Sequence, residues 1–310
     1  MAWSTVDIPD LDGMTVLVTG SNTGIGLETA AALAAAGATT VLACRNISKA
    51  EAARTEIIGR GGRGPVEIVR LDLASQGQIA GAAAEVLERF PRIDRLINNA
   101  GVMADERAET EDGHELLLGT NHFGHFAFTG RILPAVLAAP NSRIVTVTSL
   151  SQKVGRLRWD DLHLNNRFRP FVAYAQSKLA NITFAVALQK RLAAAGEDTA
   201  SLVAHPGFAD TNILPGGKRE LSPFQRRFAE RFVQTPADAS RPSLRAATDP
   251  RAYGGEFYGP SHRLEINGSP VAVRPSRRAL DEGEQQRLWD VSVEHTGVEY
   301  PLTEPEPMPR

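Results

Sequence analysis

TVLVTGSNTGIG, residues Thr15 to Gly26, decides the fold. TVLVT is a short β-branched run that reads as a strand, and the alanine-rich stretch Gly24 to Ala36 reads as a helix ending at Gly37. Glycines at such a strand-to-helix junction let the backbone turn sharply and approach a ligand closely. The helix start adds free N–H groups and a dipole that favours an anion. Gly20, Ser21, Asn22, Thr23, Gly24, Ile25 and Gly26 are therefore expected to cradle a pyrophosphate. The spacing is G-x-x-x-G-x-G, not the usual G-x-G-x-x-G, so its position at the first junction is the stronger signal.

The alternation continues outward. Strands are expected at Thr39–Ala43, Val66–Leu71, Arg95–Asn98, Arg143–Ser149, Thr199–His205 and Glu256–Tyr258. Helices are expected at Gln76–Phe90, Gly113–Leu137, Ala173–Ala195, Thr235–Thr248 and Ala279–His295. Short continuous apolar strands between helices predict an α/β fold, a doubly wound parallel sheet of about seven strands with helices on both faces. One domain, residues 1–299, is expected, with the proline-rich 300–310 as a disordered tail.

The 310 residues carry a formal net charge of −2, which gives no pull toward nucleic acid or an anionic membrane. The single cysteine, Cys44, excludes an internal disulfide framework and fits a reducing compartment. Met1 to Asp12 has acids and a proline where a secretion signal needs a basic start, and no apolar run is long enough to span a membrane. A cytoplasmic protein is expected.

The second strand ends Ala43-Cys44-Arg45-Asn46, with no acid to hold a ribose 2′-hydroxyl. A guanidinium there matches a 2′-phosphate, helped by Ser21 and Asn22, so Arg45 and Asn46 favour NADP(H) over NAD(H). Alternatively, Arg45 is an ordinary solvated side chain. Asp72 with the Leu73 backbone suits an adenine amino group, or Asp72 caps the next helix.

Tyr174 and Lys178 are four residues apart and share a helix face. A phenol is a poor base near neutrality, and a neighbouring cation favours its ionised form. The pair alone is common. In order along the chain, however, stand TGxxxGIG (Thr19 to Gly26), NNAG (Asn98 to Gly101), Asn121 in TNHFGHF, Ser149 in IVTVTS, YxxxK, and Pro206-Gly207. This series resembles the short-chain dehydrogenase/reductase superfamily over roughly residues 12–260, which implies a Rossmann-type fold and hydride transfer between a nicotinamide cofactor and a small molecule.

The resemblance implies that Tyr174 exchanges a proton with the substrate oxygen, Ser149 holds that oxygen, and Lys178 lowers the tyrosine pKa and binds the nicotinamide ribose. It implies that Asn121 positions a water leading from Lys178 to bulk. Asn99, Ala100, Gly101, Pro206 and Gly207 would line the cofactor cleft, and Thr211 would bind the carboxamide. No metal ligand set is expected. The helices Gly113–Leu137 and Ala173–Ala195 match those through which family members pair, as homodimers or homotetramers.

Ser149 and Tyr174 are 25 positions apart, and the intervening Leu150–Val172 contains Arg156, Arg158, Trp159 and Phe168. With ACRN and SKLAN, that spacing is similar to the branch of retinol dehydrogenases and protochlorophyllide reductases, which implies a bulky apolar substrate. The segment could equally be an inert surface loop. In Ser222–Gln234, Phe224, Phe228 and Phe232 form an apolar stripe beside Arg226, Arg227 and Arg231. Ser222–Gln234 is read as part of a substrate lid spanning about 208–234, as a helix on the core, or as a membrane-surface helix. An NADP(H)-binding sensor or scaffold without turnover is the competing function.

Overall fold

The computed structural model describes residues 2–208, 234–262 and 264–302. Seven strands run parallel: β1 (Thr15–Thr19), β2 (Thr39–Cys44), β3 (Val66–Arg70), β4 (Arg95–Asn98), β5 (Arg143–Val147), β6 (Ala200–Ala204) and β7 (Phe257–Pro260). An eighth, β8 (Pro270–Ala272), pairs antiparallel with β7, and the sheet order is β3-β2-β1-β4-β5-β6-β7-β8. The expected strand count is thus corrected by one. β8 is three residues long and opens on a proline, too short for any periodicity to show.

Side chains on successive strand residues point to opposite faces, and both faces are covered. Val16 and Val18 pack with Leu27 and Leu33 of α1 (Gly24–Ala35) and Leu244 of α7 (Pro236–Thr248). Leu17 faces the other way, into a core shared with Ile79 of α3 (Gln76–Arg89), Phe126 of α5 (Gly124–Leu137), Leu188 of α6 (Pro170–Ala194) and Trp289 of α8 (Glu282–Thr296).

Three departures from the sequence reading have identifiable physical causes. α2 (Ile47–Gly59) fills the β2–β3 connection, burying only Ala50, Ala53 and Ile57, so its apolar stripe is thin. The continuous helix expected over Gly113–Leu137 instead begins as a single turn, α4 (Leu116–Leu118), widens into a π turn at Gly119–Phe123 and then continues as α5. Gly113 has φ +80°, outside the helical region, and both Glu115 carboxylate oxygens cap α4 by accepting the Leu117 and Leu118 N–H groups at 2.8 Å.

The third departure is the tail. Tyr300 is packed rather than disordered, its ring 4.7 Å from Trp289 and 4.9 Å from Phe126, its hydroxyl donating to the Phe126 carbonyl at 2.8 Å. A Cβ on Gly130 would come within 2.7 Å of that ring, so glycine makes the berth. Residues 303–310 lie outside the described residues.

Tyr300→Ala is expected to destabilise the fold by about 3 kcal/mol through the vacated aromatic berth. Tyr300→Phe should cost only about 1 kcal/mol, for the one hydroxyl bond. Urea unfolding of both variants checks this; equal stabilities for Tyr300→Ala and the parent chain would show the tail to be loose.

Candidate active site

The sheet order reverses at the β1–β4 pair, and such a reversal opens a crevice beyond the carboxyl ends of the strands. Thr19 ends β1 at this point and bridges it. Its hydroxyl oxygen accepts the Asn99 N–H at 3.0 Å and the Ala100 N–H at 2.9 Å. The Asn99 side chain returns the contact, donating to the Thr19 carbonyl at 2.9 Å. The two motifs TGxxxGIG and NNAG are therefore one hydrogen-bonded unit. A Cβ on Gly20 would stand 2.9 Å from Ala100, and one on Gly26 2.5 Å from Asn99 Nδ2, so both glycines are required by close approach.

The cradle fits a dinucleotide. Thr23 gives α1 no side-chain cap, and a Cβ built on Gly24 meets nothing within 4 Å, so the helix start has room for an anion. Ile25 is buried beneath it. Asn22 is only partly buried at the loop's outer rim. Ser21 is corrected: its hydroxyl is fully buried and donates to the Val18 carbonyl at 2.9 Å, so it is turned into the protein.

Arg45 follows β2 with its side chain 69% exposed, Nε 3.9 Å from Asp72 Oδ2. Asn46 caps α2, its Oδ1 accepting the Lys49 N–H at 2.9 Å. Ser75, not Asp72, caps α3; Asp72 accepts the Ala74 N–H at 3.0 Å in the preceding turn. Leu73 is buried against the start of α5.

At the other end, Lys178 and Tyr174 lie on α6 as their spacing requires. Lys178 is buried; Nζ donates to the Val147 carbonyl at 3.3 Å and stands 5.7 Å from the Tyr174 ring centre. Burial pulls the ammonium down to about 8. Burial pushes the Tyr174 phenol up, with the Ser149 hydroxyl opposing that shift. Desolvation dominates the phenol in the empty site, while Nζ addresses a carbonyl and the ring face. Ser149 follows β5 and accepts the Ser151 N–H at 3.3 Å. A Cβ on Gly101 would lie 3.2 Å from Lys178 Nζ and 3.6 Å from Asn121 Oδ1, which puts the NNAG turn against both.

Asn121 sits in the π turn, a helix irregularity common at functional sites. Its side chain accepts the Val102 N–H at 2.8 Å and donates to Ser177 Oγ at 3.0 Å, and Ser177 in turn donates to the Tyr174 carbonyl at 2.9 Å. Two residues missed from sequence complete this chain: Ser177, inside YAQSK, and His125, four positions after Asn121. His125 Nδ1 bonds the Asn121 carbonyl at 2.9 Å and so carries the proton, leaving Nε2 to accept from Thr19 at 2.9 Å.

Pro206 and Gly207 follow β6. The Pro206 carbonyl accepts from Gln234 Nε2 at 2.6 Å, and the Gln234 N–H donates to the Phe208 carbonyl at 2.9 Å. Thr211 and the aromatic stripe of the expected lid lie outside the described residues.

Tyr174 packs against an apolar cluster of Leu117, Leu164 and Ala173, which Met103, Leu116, Phe168 and Val172 also pack against. Leu164, Phe168 and Val172 belong to the insertion, which is docked rather than inert. Trp159 Nε1 donates to Glu284 at 3.0 Å, and Arg107 donates to the His163 carbonyl at 3.2 Å and to Asn165 at 2.6 Å.

The short chain dehydrogenase profile matches residues 14–220. The chain belongs to the short-chain dehydrogenase family, which makes it an oxidoreductase using a nicotinamide cofactor. Within that family it falls in the retinol-dehydrogenase-like branch. Human retinol dehydrogenase 13 is 37% identical over 97% of this chain and 89% of its own length. A crystal structure of an uncharacterized protein from Mycobacterium paratuberculosis is 39% identical, with TM-score 0.81 over 97% of this chain and all of that one. A short chain dehydrogenase from Shigella flexneri, complexed with NADP, is 25% identical with TM-score 0.64, covering 80% of this chain and 97% of its own. Among the described residues no helix is long and apolar enough to cross a membrane.

Burial holds His125 down to about 4 and its neighbour His122 to about 3, so the folded state keeps both neutral. Unfolded, they take protons below 6.5, so the stability they hold is complete above 6.5 and lost as pH falls toward about 4. Through these two rings the unfolding free energy should therefore fall by at most about 2.7 kcal/mol per pH unit within that window. Urea titrations at stepped pH check the slope; a flat profile there would mean these rings are hydrated.

Proposed function

We propose that this chain interconverts a carbonyl and an alcohol on a bulky apolar substrate, with NADP(H) preferred and Tyr174 as the proton donor and acceptor. The observation that carries the reading is the placement of the Tyr174 phenol. Ser149 lies at its hydroxyl and Lys178 Nζ stands 5.7 Å from its ring centre, while Tyr174 also packs on the apolar cluster of Leu117, Leu164 and Ala173 that Met103, Leu116, Phe168 and Val172 join. A carbonyl oxygen reaching the polar side would bring its apolar remainder against that cluster.

The nicotinamide, when bound, supplies or accepts the hydride. The chain supplies orientation and the proton. Tyr174 keeps its proton at neutral pH in the free protein, ready to be donated to a developing alkoxide. Ser149 would donate to the same oxygen. Lys178 would compensate the phenolate left behind, its ammonium favouring the anionic product state. Asn121 acts as a positioning residue, tying the NNAG turn to α6 through Val102 and Ser177.

The NADP(H) preference rests on Arg45. No acid stands at the end of β2, and the exposed guanidinium is held only by a 3.9 Å approach to Asp72, which a 2′-phosphate can outcompete. The name of retinol dehydrogenase 13 and the NADP in the Shigella structure point the same way on substrate and cofactor.

Tyr174→Phe is expected to lower kcat for apolar ketones and aldehydes by roughly 10²- to 10⁴-fold while NADPH affinity stays within a few-fold. Arg45→Asp should shift the NADPH:NADH affinity ratio toward NADH by about tenfold or more. Fluorescence titration and turnover assays read both. Tight NADPH binding with no turnover of any carbonyl would favour the sensor function, and unaltered turnover in Tyr174→Phe would remove the tyrosine from the mechanism.

A further inference from the structure

Three histidines that the proposed reaction leaves unused converge from distant segments. His114 precedes α4, His163 lies in the insertion between β5 and α6, and His295 occupies the last turn of α8. One ring nitrogen from each lies within 4.8 Å of one from each of the others. Their ring centres are 5.6 Å (His114–His163), 4.9 Å (His114–His295) and 5.2 Å (His163–His295) apart. Tetrahedral ligation with Zn–N distances of about 2.0–2.1 Å sets imidazole centres roughly 5 Å apart. The rings already stand at that separation.

A second observation points to a ligand. His114 is only 8% exposed, and its Nε2 has no hydrogen-bond partner. A buried nitrogen left unpaired is costly, and stacking against a neighbouring ring does not relieve it. His163 and His295 complete the cluster around that nitrogen. Those two are only half-buried, which leaves an entry path. The Glu115 carboxylate is occupied by α4, so the fourth position falls to solvent.

We propose that His114, His163 and His295 form a tris-histidine site for Zn²⁺, completed by water, that staples α8 and the insertion to the turn before α4. His163 Nδ1 accepts the Glu115 N–H at 3.2 Å in the metal-free chain. Ligation exchanges that long hydrogen bond for a metal bond, either directly at Nδ1 or after a half-turn of the ring. Imidazole donors suit a borderline ion such as Zn²⁺, and the absence of carboxylate ligands disfavours Mg²⁺ and Ca²⁺. The site is independent of the oxidoreductase chemistry.

The test uses the full chain without a polyhistidine tag, stripped by chelator and titrated with Co²⁺ and then Zn²⁺. One Co²⁺ per chain with the visible absorption of a tetrahedral centre is expected, displaced by one Zn²⁺. Zn²⁺ should also raise the Tm. His114→Phe keeps an aromatic ring beside Phe123 and removes the nitrogen, and His295→Gln removes another ring donor; each should weaken Co²⁺ binding at least tenfold with NADPH binding unchanged. Absence of a tetrahedral Co²⁺ spectrum in the unsubstituted chain would overturn the proposal even if a variant fails to fold. So would variants that bind Co²⁺ as the parent does, leaving a cluster of stacked rings.

Discussion

The Thr19 hydroxyl uses every hydrogen-bonding valence it has. It accepts two N–H groups from the NNAG turn and donates to His125 Nε2. The point is decisive because β1 and β4 diverge into separate connections where the strand order reverses, and the crevice that forms would otherwise expose unpaired backbone at its floor. One side chain closes that gap and sets the spacing between the phosphate loop and the nicotinamide end of the cleft. Gly20 and Gly26 follow from it, since Ala100 and Asn99 held this close leave no room for a Cβ.

The same hydroxyl reaches the chemistry through His125. With Nδ1 committed to the Asn121 carbonyl, the imidazole is fixed as one tautomer. The wide turn at Gly119–Phe123 presents that carbonyl together with the Asn121 carboxamide, which grips Val102 on one side and Ser177 on the other. Ser177 bonds the carbonyl of Tyr174. A continuous chain thus runs from the first strand to α6, the helix that carries Tyr174 and Lys178. The energetic tension lies at its end, where burial works against both the Lys178 cation and a Tyr174 anion. A site that disfavours charge when empty gains most from a ligand that brings compensating charge or polarity into it.

The parts of this arrangement legible in the sequence were those written in local pattern. TVLVTGSNTGIG marks a strand, a tight turn and a helix start within twelve residues, and YxxxK needs only helical periodicity. What could not be read depends on long-range contact. Nothing local distinguishes Ser21 facing a phosphate from Ser21 facing the Val18 carbonyl, or Asn46 as a ligand from Asn46 as the cap of α2. α2 itself buries three side chains, so its amphipathic signal barely rises above a polar connection. The π turn interrupts a stretch that apolar periodicity reads as one helix, where Thr110, Glu115 and His125 claim backbone groups that a regular helix would use. Tyr300 looked like tail composition; its berth is made by Gly130, 170 positions earlier.

The insertion between β5 and α6 shows how specificity can be separated from chemistry on this scaffold. Its anchors, Trp159 to Glu284, Arg287 over the Trp159 ring at 4.5 Å, and the bonds from Arg107, all lie outside the Ser149–Tyr174–Lys178 group. Its Leu164 belongs to, and its Phe168 and Val172 pack on, the apolar cluster that Tyr174 also packs against. Changing those side chains would reshape that cluster without touching the Thr19–His125–Asn121 chain that leads to α6. A rigid polar frame with an independently anchored apolar cluster lets the apolar side chains vary while the frame stays fixed.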